Sequence, residues 1–120
     1  MSKKTIVIGA SENPERYAYK ATLALQKHNH EVIPVGIKEG LINGIKIITG
    51  KPVVNDVDTV TLYVGMKNQS EWYNYIIGLK PKRVVFNPGT ENPEFEKNLQ
   101  QNKIEALEAC TLVMLSIGNY

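Results

Sequence analysis

Short apolar runs alternate along the chain with longer segments in which apolar residues recur at helical spacing. The runs are rich in valine and isoleucine and stop at glycine, proline or asparagine, which is typical of buried strands. We predict strands at residues 5–8, 31–35, 59–64, 83–86 and 104–107. The intervening segments predict helices from residue 14 to about residues 28–30, at 69–79 and at 93–102. A short apolar piece lies at 45–48, and the apolar end at 110–117 is expected to pack back on the domain.

The order of these elements indicates the fold class. Continuous β-branched runs separated by helices favour a parallel sheet that is covered on both faces. Right-handed crossovers then produce a three-layer, doubly wound α/β fold with a mainly parallel five-stranded sheet. With 120 residues and no repeat or low-complexity stretch, we expect a single domain over residues 1–120.

In a doubly wound sheet, ligands bind beyond the carboxyl ends of the strands. The predicted loops at that end span residues 9–16, 36–40, 65–68 and 87–92. They hold most of the glycine, proline and asparagine that lies outside helices and strands. Turns require the same residues, so this clustering is by itself a weak functional signal.

Composition and charge exclude several classes of protein. Hydrophobic residues make up 42% of the chain and charged residues 22%, as in ordinary globular domains. A net charge of +2 is too balanced for a nucleic-acid binder that relies on many phosphate contacts. The single cysteine, Cys110, cannot form an internal disulfide. No apolar run is long enough for a signal peptide or a spanning helix, so we expect a cytoplasmic protein without a membrane partner.

The first predicted loop carries the strongest chemical signal. Gly9-Ala10-Ser11 follows a buried strand, and Asn13-Pro14 fits the N-cap and first position of the next helix. The first amides of a helix lack intrahelical partners, and a glycine lets a phosphate approach the backbone closely. Ser11 and Arg16 add a hydroxyl and a guanidinium for the same anion. The alternative is a plain strand–helix turn with a solvent-exposed arginine, and the G-x-G-x-x-G dinucleotide fingerprint is absent.

This loop resembles the start of a known family. The pattern Gly9-Ala10-Ser11-x-Asn13-Pro14-x-Arg16 is similar to that of small standalone CoA-binding proteins of the YccU type. The resemblance continues in order along nearly the whole chain, through Val32-Ile33-Pro34-Val35, Lys38, Gly44, Asn87-Pro88-Gly89-Thr90-Glu91-Asn92 and Glu108-Ala109-Cys110. It implies a Rossmann-like fold related to the CoA-binding domain of succinyl-CoA synthetases, with coenzyme A or an acyl-CoA as ligand.

The resemblance also implies where the ligand lies. The pyrophosphate would bind at the first loop, through Gly9, Ala10, Ser11, Asn13, Pro14 and Arg16. The adenosine end would lie near the loop after the second strand, at Val35, Gly36 and Lys38.

That second loop departs from the family. Members usually have Pro-Val-Asn-Pro where this chain has Pro34-Val35-Gly36-Ile37. Contacts there are therefore expected from the backbone and from Lys38, whose ammonium would meet the 3′-phosphate of CoA. The alternative is a solvated loop lysine beside Glu39.

The loop at residues 87–92 follows the fourth predicted strand and faces the same crevice. Asn87 and backbone amides such as that of Gly89 would contact the pantetheine arm of the ligand. The alternative is a simple turn. In either case we expect Asn92 to cap a helix whose first residue is Pro93.

The remaining candidates for chemistry are Cys110, His28 and His30. A nucleophilic cysteine needs a neighbouring base or cation, and both histidines are predicted at the opposite end of the sheet, so a buried structural cysteine is favoured over a nucleophile or a mixed disulfide with CoA. Two histidines without further ligands do not predict a metal site. Trp72, Tyr73 and Tyr75 fall within one helical turn, so one of them could be exposed and mark a partner surface in a homodimer or with another protein.

We therefore predict a module that binds coenzyme A or an acyl-CoA by its pyrophosphate, without evident catalysis. The loops offer no acid–base pair and no nucleophile with a base. Carboxylates repel a polyanionic ligand, so the glutamates of this region are expected at the rim: Glu12, Glu15, Glu91 and Glu94. The alternatives are a subunit or regulator of an acyl-CoA-handling enzyme, or a binder of another nucleotide.

Overall fold

The computed structural model describes residues 2–120. Its strands are β1 (Thr5–Ile8), β2 (Val32–Val35), β3 (Gly40–Ile42), β4 (Ile45–Ile47), β5 (Thr59–Leu62), β6 (Arg83–Phe86) and β7 (Glu105–Glu108). Its helices are α1 (Tyr17–Lys27), α2 (Tyr73–Leu79), α3 (Pro93–Gln101) and α4 (Thr111–Ser116). Two 3₁₀ turns, Met66–Asn68 and Ser70–Trp72, precede α2.

The main sheet has five strands in the order β2-β1-β5-β6-β7, and every neighbouring pair is parallel. The predicted doubly wound α/β fold is therefore confirmed. From β1 the chain first crosses to β2 on one side and later to β5 on the other. This reversal opens a crevice beyond the carboxyl ends of β1 and β5.

The core consists of one apolar cluster on each face of the sheet. Successive residues of β1 point to opposite faces, so Ile6 and Ile8 pack in one cluster and Val7 in the other. The helix residues of the first cluster are Ile76, Phe95 and Leu99, and those of the second are Ala18, Leu25, Met114 and Leu115. Helices α2 and α3 thus cover one face, and α1 and α4 cover the other, which makes three layers.

Helix α1 begins later than the sequence predicts. Its N-cap is Arg16, whose backbone is extended and whose side chain makes no capping hydrogen bond. The Asn13 Oδ1 instead accepts from the Glu15 amide at 3.0 Å, and the Asn13 carbonyl accepts from the Arg16 amide at 3.0 Å. The predicted start at Pro14 and the capping role of Asn13 are therefore wrong, because these local bonds hold residues 13–16 in a turn.

A small antiparallel hairpin, β3–β4, lies where the sequence analysis placed a loop and an apolar piece. Its turn is Asn43-Gly44, and both residues have positive φ, 48° and 83°. This is the turn that two-residue hairpins favour. Ile42 and Ile47 are buried, and Ile48 bridges Val35 of β2. The hairpin therefore packs beside the second loop of the crevice.

The predicted helix at 69–79 is shorter in the structure. Two 3₁₀ turns occupy its first part, and α2 begins only at Tyr73. Gln69 explains the interruption, because its side chain is fully buried and its Nε2 donates to the carbonyl oxygens of Val64 and Thr90. These two bonds, one of them to a residue 21 positions away, fix the chain before the α-helix starts.

The other elements follow the prediction closely. The bounds of β1 and β6 are as predicted, and those of β2, β5, α3 and β7 differ by one or two residues. The Asn92 side chain accepts from the Phe95 amide at 3.2 Å, which confirms its predicted capping role. The apolar end forms α4, which packs on α1 as expected. Among residues 2–120, every helix is too short or too polar to cross a lipid bilayer.

Candidate functional site

A cleft of about 1210 Å³ opens at the carboxyl end of the sheet. Its walls come from the loops that follow β1, β2, β5 and β6, together with the first residues of α1. The structure thus brings the predicted loops together at the point where the strand order reverses.

Gly9 and Ala10 join the first two loops. Both of their amides donate to the Val35 carbonyl, at 3.0 and 2.9 Å. Gly9 has φ +98°, and a Cβ at this position would lie 2.8 Å from the carbonyl oxygen of Tyr63. Only glycine fits there, and the two amides support the loop itself instead of pointing freely at a ligand.

The free backbone donors lie one step further on, at the start of α1. The first amide that bonds within this helix is that of Lys20, which donates to the Arg16 carbonyl at 3.2 Å. The amides of Tyr17, Ala18 and Tyr19 have no acceptor among residues 2–120. Tyr17 and Ala18 also line the cleft. The positive end of the α1 dipole therefore meets the cleft at a set of unpaired N–H groups.

Ser11 also lines the cleft and keeps a donor available. Its Oγ accepts from the Asn13 amide at 3.1 Å, so the hydroxyl proton remains free for another acceptor. Asn13 and Pro14 are exposed but do not line the cleft, because the turn at residues 13–16 carries them to its outside. Their direct contact with the ligand stays a prediction.

Two cations, Arg16 and Lys38, line the cleft and are exposed. Within the described chain the sole ion pair joins Lys82 and Asp58 at 3.8 Å, so neither of these cations is neutralised by a carboxylate. Four glutamates also line the cleft, namely Glu12, Glu15, Glu39 and Glu71. The Glu12 carboxylate accepts from the Leu41 amide of β3 at 3.0 Å, which holds it toward the hairpin.

The second loop explains the departure from the expected family pattern. Val35 is fully buried, and a Cβ at Gly36 would overlap the carbonyl oxygen of Ala10. The glycine therefore allows the first two loops to touch. The next residues reach into the open, since Ile37 is 93% exposed and Lys38 is exposed beside it.

Asn87 has a structural role that the sequence analysis did not expect. Its side chain is 1% exposed, and its Nδ2 donates to Thr61 Oγ1 at 2.6 Å and to the Leu62 carbonyl at 2.9 Å. Its Oδ1 accepts from the Thr111 amide at 2.9 Å. Both amide protons are engaged internally, and the side chain does not line the cleft. Asn87 instead ties β6 to β5 and to the start of α4.

The same loop is fixed by a second buried network. The Asn92 Nδ2 donates to Gln69 Oε1 at 3.0 Å and to the Tyr73 hydroxyl at 2.7 Å. Gln69 in turn donates to Thr90, whose hydroxyl donates to the Asn87 carbonyl at 2.8 Å. Gly89 lines the cleft with φ +93°, although its amide already donates to a Glu91 carboxylate. These bonds hold the wall formed by the β5 and β6 loops.

That wall combines aromatic and apolar residues with the polar residues Asn68, Glu71 and Thr90. Tyr63, Val64 and Trp72 line it, and none of them belongs to the predicted site residues. Burial raises the pKa of the Tyr63 hydroxyl, which is inaccessible to solvent and has no hydrogen-bond partner among the described residues. The tyrosine is therefore neutral, and Glu71 is the acidic residue that lines this end of the cleft.

Most of the predicted site residues lie on the cleft: Gly9, Ala10, Ser11, Arg16, Val35, Gly36, Lys38 and Gly89. The exceptions are Asn13, Pro14 and Asn87. Residues that the sequence analysis missed include Tyr17, Ile37 and Trp72. In the sequence, these three residues are marked only as aromatic or apolar residues within or beside a loop that contains glycine. Direct contact of any of these residues with a ligand stays a prediction.

Cys110 and the histidines lie away from the cleft. Cys110 is half-buried at the N-cap of α4 and does not line it. The His30 Nδ1 accepts from the Lys3 amide at 2.9 Å, near the amino ends of β1 and β2. Among residues 2–120, no three metal-ligating side chains come together.

The chain matches one protein-family model, described as a CoA-binding domain, over residues 3–116. A crystal structure of an uncharacterized protein is 54% identical, with a TM-score of 0.97, and the alignment covers 100% of this chain and 99% of that one. A hypothetical protein from Pyrococcus horikoshii OT3 is 26% identical, with a TM-score of 0.87, over 97% of this chain and 83% of that one.

A larger solved protein shares the fold alone. The dinucleotide-forming acetyl-coenzyme A synthetase 1 of Ca. Korarchaeum cryptofilum, in complex with phosphate and ADP, is 18% identical with a TM-score of 0.71. The likeness covers 90% of this chain and 26% of that one. None of the curated proteins matches the chain.

Proposed function

The chain belongs to the CoA-binding domain family, and we propose that it binds coenzyme A or an acyl-CoA in the cleft at the carboxyl end of the sheet. The observation that carries this proposal is the coincidence of the family match with a cleft built around a helix N-terminus. That cleft also exceeds the usual 300–1,000 Å³ or so of a small-ligand pocket, which suits a ligand as long as CoA.

The pyrophosphate would lie at the first loop and the start of α1. The unpaired amides of Tyr17 and Ala18, the free hydroxyl proton of Ser11 and the Arg16 guanidinium supply donors of the kind a diphosphate needs. Gly9 and Ala10 would contribute by shaping the loop, since their amides are engaged with Val35.

The adenosine end would lie at the second loop. Lys38 is exposed, lines the cleft and has no carboxylate partner in the described chain, so it is available for the 3′-phosphate. The pantetheine arm would then run the other way, past the loops of β5 and β6, which lie on the other side of β1 from β2. Backbone groups near Gly89 and the apolar wall of Val64 and Trp72 suit an uncharged chain with two amides.

We infer that the protein holds its ligand without transforming it. Cys110 does not line the cleft, and no histidine is among the residues on its walls. A thiol-release assay with acetyl-CoA tests this inference. We expect no turnover by the isolated protein, and a rate that scales with enzyme concentration would instead support an acyl-CoA-handling enzyme.

Titration calorimetry with CoA, dephospho-CoA and ADP tests the ligand. We expect CoA to bind more tightly than dephospho-CoA, because only CoA carries the phosphate that Lys38 would meet. If neither CoA nor dephospho-CoA binds at millimolar concentration, the proposal is overturned. Equal affinity for ADP and CoA would indicate a general nucleotide binder, since the pantetheine arm would then contribute nothing.

A pair of lysine variants sharpens the same experiment. Lys38→Ala should reduce the difference in affinity between CoA and dephospho-CoA, because it removes the cation assigned to the 3′-phosphate. Lys46→Ala removes an equal charge from an exposed position in the hairpin outside the cleft, and it should leave that difference unchanged.

A further inference from the structure

We propose that Glu12 is a positioning residue that ties the anion-binding loop to the β3–β4 hairpin, so that ligand binding and hairpin stability are coupled. This inference rests on the proposed function, since it concerns the regulation of the same cleft. It gives a reason for the presence of this carboxylate in the cleft, where its charge would repel a polyanionic ligand.

The first observation is a specific hydrogen bond. Glu12 belongs to the first loop and lines the cleft, yet its Oε2 accepts from the backbone amide of Leu41 in β3 at 3.0 Å. These two residues are 29 positions apart, so the bond closes the first loop against an element that follows β2. A carboxylate held by an amide is also a stronger and more directional contact than a neutral pair.

The second observation is the space that this contact needs. A Cβ on Gly40 would overlap both Cγ and Cδ of Glu12. Gly40 has an ordinary negative-φ strand conformation, so backbone freedom does not require glycine there. The missing side chain is explained by the path of Glu12 across the hairpin.

The third observation is that the hairpin reaches the cleft from its other side. Ile48, directly after β4, accepts from the Gly36 amide at 3.0 Å and donates to the Pro34 carbonyl at 2.9 Å. Gly36 in turn packs against Ala10 of the first loop. The first loop, the second loop and the hairpin therefore form a closed ring of contacts, and Glu12 supplies one of its joints.

Opposite effects on affinity follow from this arrangement. The negative charge of Glu12 repels an anionic ligand, whereas its bond to Leu41 holds the loop in the shape that binds. Glu12→Gln keeps an acceptor and removes the charge, so it should bind CoA about two- to fivefold more tightly than the wild type. Glu12→Ala has the same charge as Glu12→Gln but no acceptor, and it should bind about three- to tenfold more weakly than that variant.

Gly40→Ala provides an independent way to break the bond. It leaves the carboxylate in place but displaces it, and the clash involves a flexible side chain, so the fold should survive. We expect about threefold or greater loss of affinity relative to the wild type. In a Glu12→Ala background the same substitution should change affinity by less than about twofold, because the clashing group is gone.

Amide hydrogen exchange gives a readout that does not depend on the ligand. The Leu41 amide should exchange faster in Glu12→Ala and Gly40→Ala than in the wild type, and Glu12→Gln should restore its protection. If the coupling holds, CoA should also slow this exchange in the wild type but not in Glu12→Ala.

The outcomes separate the two proposals. If CoA binds but Glu12→Ala and Glu12→Gln bind equally well, or Gly40→Ala weakens binding equally in both backgrounds, the positioning role is overturned. If no variant binds CoA, the wild type included, the proposed function and the coupling both fail. Leu41 exchange in Glu12→Ala then decides whether the bond itself stabilises the hairpin.

Discussion

The two ends of the parallel sheet differ in whether their cationic side chains have partners within the protein. At the amino end, Lys3 and Arg83 both donate to the Tyr120 carbonyl, and the Arg83 guanidinium lies 4.4 Å from the centre of the Tyr120 ring. At the carboxyl end, Arg16 and Lys38 line an open cleft without a carboxylate partner in the described chain. Cations at the first end therefore act on stability, and those at the second are available to a ligand.

Tyr120 is the centre of the closed end. It is 8% exposed, its ring packs against His30 at 4.9 Å, and its hydroxyl lies 2.6 Å from Thr5 Oγ1. The threonine hydroxyl already donates to the Lys3 carbonyl, so the tyrosine is the donor of this bond. Burial raises the pKa of Tyr120, which keeps that proton in place.

The largest effect should come from removing this ring. Tyr120→Ala is expected to lower the free energy of unfolding by about 3–5 kcal/mol, as for other large-to-small changes in a core. Urea denaturation measures the loss. Tyr120→Phe keeps the ring and loses only the bond to Thr5, so it should cost about 1 kcal/mol. Equal stability of these two variants would show that the ring does not anchor this end.

Asn87 tests whether every polar residue at the carboxyl end of the sheet is available to a ligand, or whether some of them stabilise the fold. It lies at the carboxyl end, but it is buried and bonded to Thr61, Leu62 and Thr111. Asn87→Ala leaves buried groups unpaired and should cost about 2–3 kcal/mol of stability. Asn74→Ala, at an exposed position of α2, should change stability by less than about 0.5 kcal/mol. A stable Asn87→Ala protein with weakened CoA binding would contradict the structural role.

Arg16 should show the reverse behaviour. Arg16→Ala is expected to leave the urea midpoint unchanged, because the side chain is exposed and unpaired. It should weaken CoA binding by about 1.5–3 kcal/mol, the range for loss of a hydrogen bond to a charged group. Calorimetry measures the affinity. Lys27→Ala removes the same charge from the other end of α1 and should bind as the wild type does.

The smallest effect concerns pH at the closed end. Burial, and then the nearby His28 and Lys3, lower the pKa of His30 below 6.5. Between pH 6.5 and the lowered pKa of folded His30, the unfolded chain binds a proton at this histidine and the folded protein does not. The stability that comes from neutral His30 is therefore present above pH 6.5 and is lost as the pH falls. We expect His30→Asn to flatten this slope between pH 7.5 and about 5.5. His28→Asn should reduce this slope less than His30→Asn does in the same denaturation series, because it removes only one of the causes that lower the pKa of His30.

Much of this architecture follows from local sequence, and the exceptions have physical reasons. The strands Thr5–Ile8 and Arg83–Phe86 were predicted with their observed bounds, because continuous β-branched or aromatic runs end there at glycine or Asn-Pro. The start of α1 was missed, since Asn13 can close a turn as well as cap a helix. The hairpin was missed although Asn43-Gly44 is a turn signal in the sequence.

In the candidate site, too, some features could be predicted from the sequence and others could not. The doubly wound topology places certain loops at one crevice, which is why most of the predicted residues lie on it. The internal bonds of Asn87 could not be predicted, because they depend on partners far along the chain, such as Thr111. The exposure of Ile37 likewise depends on what the fold leaves uncovered.

The hairpin has a consequence for how the protein behaves at high concentration. The outer strands of a sheet carry unpaired backbone groups that can recruit another copy and begin aggregation. At β2, the residue after β4, Ile48, already occupies this position by pairing with Val35. At the opposite margin, β7 is only four residues long and presents exposed Glu105 and Glu108. The fold thus covers the carboxyl end of one margin with its own chain and places acidic residues on the other, and both features disfavour the addition of further strands.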